Sequence, residues 1–348
     1  MLFLVALILI GSVSIVSAQT SWWRTCGGTT YDEGYSVQQT SDGGYIVAGL
    51  TKSYGAGDVD VYLIKTSASG DTLWTRTYGG TDCDMSRSVQ QTADGGYVIA
   101  GNTYSFGAGN HDVYLIKTDA SGDTLWTRTY GGTDYDEGYS VQQTADGGYV
   151  IAGNTYSFGA GRTDVHLIKT DASGDTLWTR TYGGTDYDLG YSVQQTADGG
   201  YIIAGFTASF GAGADDVYLI KTEASGDTAW TRTCGGTNRD WGYSVQQTSD
   251  GGYIVAGRTY SFGAGDYDVY LIKTDSLGNV GVAEESPRPR VMRGRIGTTV
   301  LSGASGVRQL ASCVAFDAMG RRVLHPKPGV YFLRTTATAA PNKVLLVK

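Results

Sequence analysis

The strongest constraint on this chain is a repeat with no slack. The segment WTRTYGGTDYDEGYSVQQTADGGYVIAGNTYSFGAGRTDVHLIKTDASGDTL (residues 126–177) recurs five times, starting at Trp22, Trp74, Trp126, Trp178 and Trp230, always 52 residues apart. A fixed period of this length marks supersecondary units that cannot bury an apolar face alone and do so against their neighbours. The 52 glycines recur in register with the repeat, which argues for ordered turns rather than a flexible chain.

The third copy serves for all five. Tyr139–Thr144 (YSVQQT) is a short β-rich run, and Ala145-Asp146-Gly147-Gly148 is a hairpin turn, since Asp-Gly accepts positive φ. Tyr149–Asn154 (YVIAGN) is apolar enough for a strand buried on both faces. After the loop TYSFGAGRTD, Val165–Thr170 (VHLIKT) forms a third strand and Asp171–Asp175 a second turn. Thr176–Tyr182 (TLWTRTY) alternates in polarity, as a half-buried rim strand does. Four antiparallel strands repeated radially give an all-β, five-bladed β-propeller, with YSVQQT innermost. The chain enters with a lone rim strand around Trp22, and the fifth copy ends after its third strand. The N-terminal strand is therefore expected to complete and close the last blade. An open stack would need polar caps at both ends, and none is visible.

The pattern GGT-x-x-D-x-G-Y-S-V-Q-Q-T-x-D-G-G-Y-x-x-A-G resembles bacterial β-propeller repeats of secreted surface proteins. The run Asp171…Gly174…Trp178 resembles the tryptophan-docking turn of quinoprotein propellers, in which the Trp packs blade on blade. By that resemblance the repeated Trp is structural.

The copies differ mainly on one face. Loop tips read Asp58-Val59, Asn110-His111, Arg162-Thr163, Ala214-Asp215 and Asp266-Tyr267. Blade crossings read Tyr31-Asp32-Glu33, Cys83-Asp84-Met85, Tyr135-Asp136-Glu137, Tyr187-Asp188-Leu189 and Arg239-Asp240-Trp241. Long loops on a rigid frame are where function sits. Tyr31, Tyr135, Tyr187 and Trp241, with Glu33, Glu137, His111, Arg162 and Tyr267, are the candidate ligand-binding residues. Flat rings with polar tips suit a polysaccharide or another cell-surface polymer; the alternative is that the rings pack between neighbouring loops. Asp134 with Asp136, and Asp186 with Asp188, are the candidates for Ca²⁺, but they fall short of its 6–8 oxygens. A turn hydrogen bond, or a pair with the recurrent Arg (24, 76, 128, 180, 232), is preferred for the repeated Asp, and no cofactor is expected.

Catalysis has little support. His111, His166 and His325 have no partner pattern, so neither a triad nor a zinc set can be assembled. Glu33 and Glu137 could flank a sugar as glycosidase carboxylates do. The expected function is binding or adhesion, with a glycosidase, a quinoprotein-like oxidoreductase and a ligand-free spacer as alternatives. Residues 19–283 carry a net −16 and residues 284–348 a net +8, so the acidic body excludes nucleic acid as a partner. The four cysteines are expected to be free thiols: Cys26 and Cys234 occupy equivalent points of different repeats.

The ends supply an address. Residues 1–18 have an apolar core followed by Val16-Ser17-Ala18, which fits a cleaved signal peptide with no membrane span remaining. Residues 284–297 read as a Pro/Arg linker, and 298–348 as a small β-sandwich of short strands. Its ending resembles the C-terminal sorting domain of type IX secretion cargo through Asp317…Gly320-Arg321, Gly329-Val330-Tyr331 and the basic, aliphatic terminus at Lys348. It lacks the Asn-Pro-Phe-Asn opening of that pattern. The resemblance implies a secreted or outer-membrane surface location, with the outer-membrane secretion machinery as partner. The exported body is expected to be a monomer.

Overall fold

The structure, a computed structural model, describes residues 21–281 together with 298–301, 313–316, 322–323, 329–335 and 343–347. The expected signal peptide and the expected linker lie outside these residues. Contacts divide the chain into two compact units, Met1–Val282 and Ala283–Lys348.

In the first unit β1 (Asp32–Gln39), β2 (Tyr45–Thr51), β3 (Asp60–Thr66) and β4 (Thr72–Tyr78) form one antiparallel sheet in chain order. The second blade repeats it with β5 (Asp84–Gln91), β6 (Tyr97–Thr103), β7 (Asp112–Thr118) and β8 (Thr124–Tyr130). The third has β9 (Asp136–Gln143), β10 (Tyr149–Thr155), β11 (Asp164–Thr170) and β12 (Thr176–Tyr182). The fourth has β13 (Asp188–Gln195), β14 (Tyr201–Thr207), β15 (Asp216–Thr222) and β16 (Thr228–Cys234). The fifth stops at three strands, β17 (Asp240–Gln247), β18 (Tyr253–Thr259) and β19 (Asp268–Thr274). The five first strands line one channel, through Val37, Val89, Val141, Val193 and Val245.

Each blade is fixed by a few repeated devices. In the first hairpin Asp146 accepts from Thr144 Oγ1 (2.5 Å) and the Gly148 amide (3.0 Å), while the buried Lys169 ammonium pairs with it at 2.9 Å. Partial burial raises the Asp146 pKa, but these bonds outweigh it and hold the carboxyl at about 2. The exposed edge of the inner strand in blades two to five is also covered. Ser36 Oγ and Gln38 Oε1 accept from the amides of Val89 (3.1 Å) and Gln91 (2.6 Å) in the next blade. The same two bonds recur at the three following junctions. That accounts for the polar letters of SVQQ: they satisfy backbone groups that would otherwise offer a free sheet edge.

Neighbouring blades meet through apolar faces. Ile46, Ala48, Val61, Leu63 and Tyr78 of blade one pack on Val89, Tyr97, Ile99, Tyr114 and Ile116 of blade two. The repeated Trp lies across each junction. Trp126 meets Tyr149 edge-on at 5.8 Å, with the Arg128 guanidinium 5.5 Å above it, paired to Asp175 at 3.2 Å. A Cβ on Gly174, whose φ is +80°, would fall 2.7 Å from the Trp126 ring. Gly174→Ala is therefore expected to cost at least about 1 kcal/mol; an unchanged denaturant midpoint would refute the docking role.

At the ends the structure differs from expectation. The Trp22 segment forms no strand and pairs with no part of β19, so the last blade is left with three strands. The segment instead lies on blade one. Trp22 stands edge-on to Tyr45 at 5.7 Å and Arg24 pairs with Asp71 at 3.1 Å, the contacts each rim strand makes with the blade after it. No strand pairing joins the fifth and first blades among the described residues, and Val269, Leu271 and Val37 are exposed.

In the second unit β20 (Thr298–Leu301), β21 (Cys313–Phe316), β22 (Arg322–Val323), β23 (Gly329–Thr335) and β24 (Lys343–Val347) form one mixed sheet in the order β20-β24-β23-β21-β22, with β20 and β24 parallel. The described residues supply a single sheet, so the second layer of the expected sandwich is not among them. Gly329 and Tyr331 lie on β23; Gly320, Arg321 and Lys348 are outside the described residues.

Candidate ligand-binding face

The repeated Asp is a turn lock. Asp136 accepts from the Gly132 amide at 2.8 Å and from Ser157 Oγ at 2.7 Å, and Asp188 from Gly184 and Ser209 at 2.7 and 2.6 Å. The recurrent arginines pair elsewhere, with the Asp of the next blade's second turn. Asp134 and Asp186 each accept from the amide of the tyrosine that follows, at 3.0 and 3.1 Å. Among the described residues no three metal-type side chains come together, and the four Ca²⁺ candidates already have donors.

The first four long loops each bridge to the crossing of the following blade: Val59 to Cys83, His111 to Tyr135, Thr163 to Tyr187 and Asp215 to Arg239. The loop tips and crossings singled out in the sequence are thus neighbours. His111 stands 4.7 Å from the Tyr135 ring, and Arg162 lies 5.3 Å over Tyr187. Trp241 donates to Asp215 (2.9 Å) and stacks on Phe206 at 4.6 Å. These rings pack partly between loops, yet Tyr31, Tyr135, Tyr187 and Tyr267 keep exposed faces. Beside Tyr267, an open pocket of about 370 Å³ is lined by Ala214, Asn238, Arg239 and Tyr260.

Sequence reasoning missed a second ring, closer to the axis. Every inner strand has a β-bulge: pairing of β9 with β10 skips from Gly138 to Ser140 and leaves Tyr139 out. The other four blades bulge at Tyr35, Arg87, Tyr191 and Tyr243. A bulge re-aims its side chain, and these five form a chain of contacts. Arg87 lies 4.5 Å over Tyr35 and 5.9 Å from Tyr139. Tyr139 meets Tyr191 at 5.2 Å, and Tyr191 meets Tyr243 at 5.5 Å. The signal was present in the Ala-Gly of each second strand, because a lone Gly in an apolar strand marks a bulge or a close approach. A Cβ on Gly153 would lie 1.7 Å from the Glu137 carbonyl oxygen.

The two glutamates stand beside this ring. Tyr35 donates to Glu33 at 2.7 Å, and Tyr31 also donates to it. Glu137 accepts from Tyr139 (2.7 Å) and Asn154 (2.8 Å), and its Oε1 is 3.4 Å from His111 Nε2. Burial would raise the Glu137 pKa, but His111, Tyr139 and Asn154 together draw it down to about 2. The hydrogen bond from Tyr31, followed by that from Tyr35, lowers Glu33 as well. Glu33 is bonded within blade one and Glu137 within blade three and to His111 of blade two, so the second blade lies between the two carboxylates. Both are held ionised, whereas a general acid needs a raised pKa. Cys26, Cys83 and Cys234 are free. No described helix is long and apolar enough to cross a membrane.

No known protein-family profile matches the chain. It is 27% identical over 188 residues to the regulatory protein FlaEY of Caulobacter vibrioides, a match covering 47% of this chain and 19% of that protein. The chain thus spans about a fifth of that relative's length. Among solved structures, the Pan2 WD40 domain of Neurospora crassa aligns with a TM-score of 0.47 at 8% identity, over 91% of this chain and 80% of that one. PorZ, a surface component of the type IX secretion system of Porphyromonas gingivalis, aligns with a TM-score of 0.41 at 11% identity, over 73% of this chain and 34% of that one.

Proposed function

We propose that the first unit is a closed five-bladed propeller, sealed by the Trp22 segment, that binds a polysaccharide or another cell-surface polymer at the mouth of its channel. The observation carrying this reading is that residues differing between the copies gather on one face, where four rings, Tyr35, Tyr139, Tyr191 and Tyr243, and the Arg87 guanidinium form a continuous arc of contacts. Aromatic rings stack on the apolar faces of sugars, and the carboxylates of Glu33 and Glu137 accept from hydroxyls. Binding without turnover is preferred to hydrolysis, because both carboxylates are held ionised. The signal peptide and the sorting motif support export to the surface through a type IX-like system, with the protein acting as a monomer.

The test is a panel of soluble polysaccharides titrated against the full chain, with and without Ca²⁺. Saturable binding is expected, with Tyr139→Ala and Tyr191→Ala together weakening it at least tenfold, about 1.4 kcal/mol. Release of reducing ends would favour the glycosidase, and silence across the panel the spacer.

A further inference from the structure

We propose that the seam between the fifth and first blades of one chain is specified by an ion pair between Arg258 and Glu33, found at no other junction. This rests on ring closure and takes it further.

The two free faces are halves of an interface already built four times. Val61 and Leu63 are at most 1% exposed against blade two, whereas their fifth-blade counterparts Val269 and Leu271 are 87% and 66% exposed. On the other side Val37 is 65% exposed, while Val89, Val141, Val193 and Val245 are at most 7%. Blade one presents an open pocket of about 500 Å³ lined by Trp22, Val37, Tyr45, Val47, Tyr62 and Ile64, the side that receives a blade at every other junction. Blade five lacks one strand, and the Trp22 segment already occupies the place on blade one that a preceding rim strand would take. The polar rail stops at the same place: among the described residues Ser244 and Gln246 accept from no following blade. Both inner strands line the same channel, through Val37 and Val245, so the two faces belong to one ring rather than to two copies.

The repeat then fixes the contacts of the missing junction. At the fourth junction the sixth residue of a second strand stands against the second residue of the next first strand. Phe206 of blade four stacks on Trp241 of blade five at 4.6 Å. By repeat position the equivalent residues at the other junctions are Leu50 and Met85, Asn102 and Glu137, and Asn154 and Leu189. At the seam this position brings Arg258 to Glu33. Neither takes part in an ion pair in the open arrangement among the described residues, and Arg258 Nε is buried without an acceptor. Arg258 is already ordered between Trp241, 3.7 Å from its guanidinium carbon, and Tyr267, at 4.3 Å. Blades two, four and five carry Met85, Leu189 and Trp241 at this position and offer the guanidinium no charge, whereas Glu137 of blade three is already bonded to Tyr139 and Asn154.

The experiment uses the full chain, with Glu33→Arg, Arg258→Glu and the double reversal, read by amide exchange of β19, thermal melting and mass in solution. In the parent chain the outer-edge amides of β19 are expected to be protected in a monomer. Each single reversal should speed their exchange at least tenfold and lower the melting temperature, and the double reversal should restore both. Protected amides that ignore the single reversals would overturn the ion pair while leaving closure intact. Freely exchanging β19 amides in the parent monomer would overturn closure, and the pair with it. A dimer that the single reversals dissociate would overturn the same-chain seam.

Discussion

Trp126→Ala is expected to lower the free energy of unfolding by about 3–5 kcal/mol, the range for removing a large ring from a packed site. The ring spans a junction rather than the middle of a sheet. It lies on the Gly174 turn, meets Tyr149 of the third blade edge-on and sits beneath Arg128. Truncation removes all three contacts, and no neighbouring side chain is free to fill the space. The adjacent Leu125 is exposed, so Leu125→Ala is the matched control, expected within about 0.5 kcal/mol of the parent. Denaturant melts of the two variants decide the matter: a loss under about 1 kcal/mol for Trp126→Ala would remove the Trp from the frame.

The second large effect depends on pH. His166 stands in β11 where the other copies have Tyr62, Tyr114, Tyr218 and Tyr270, and it is buried. Burial pulls its imidazole down from 6.5 to about 4, although Asp136 acts the other way. The unfolded chain takes up a proton near pH 6.5 and the folded chain only near pH 4. Between those values the unfolded state binds more protons, so stability is lost as the pH falls. The loss is complete below about pH 4 and amounts to about 3 kcal/mol. His166→Tyr, which restores the residue of the other copies, should remove this part of the acid sensitivity. The check is the difference in stability between parent and variant at pH 7.5 and at pH 4.5. A difference that does not change with pH would mean that the folded protein binds a proton at His166 as readily as the unfolded chain does.

The frame was legible because it is periodic. Asp-Gly turns, apolar YVIAGN strands, alternating TLWTRTY rims and a 52-residue spacing each carry their own physical rule, and five copies give each rule five trials. SVQQ was correctly placed at the channel, but its purpose was not readable: that Ser36 and Gln38 serve the next blade's amides depends on register between blades. The face was legible as a face, since the copies differ there. Its inner ring was not, because Tyr139 and its counterparts sit in a motif that otherwise looks like plain strand, and only the skipped pairing turns them toward the axis. Closure follows in the sequence from strand counting and from the lack of polar caps, while the separation of the two ends is a property of blade twist that no single residue encodes.

The bulges have a consequence for how such a protein can change. Each re-aimed side chain is held in place by main chain and by a glycine of its own blade, so its identity is invisible to the sheets behind it. Arginine already stands at one of the five places and tyrosine at four. Mutation there alters what the channel offers a ligand while the architecture goes on folding as before. A chain built by repeating one segment thereby carries five adjustable positions, each coupled to its neighbours around the arc rather than to the sheets behind it.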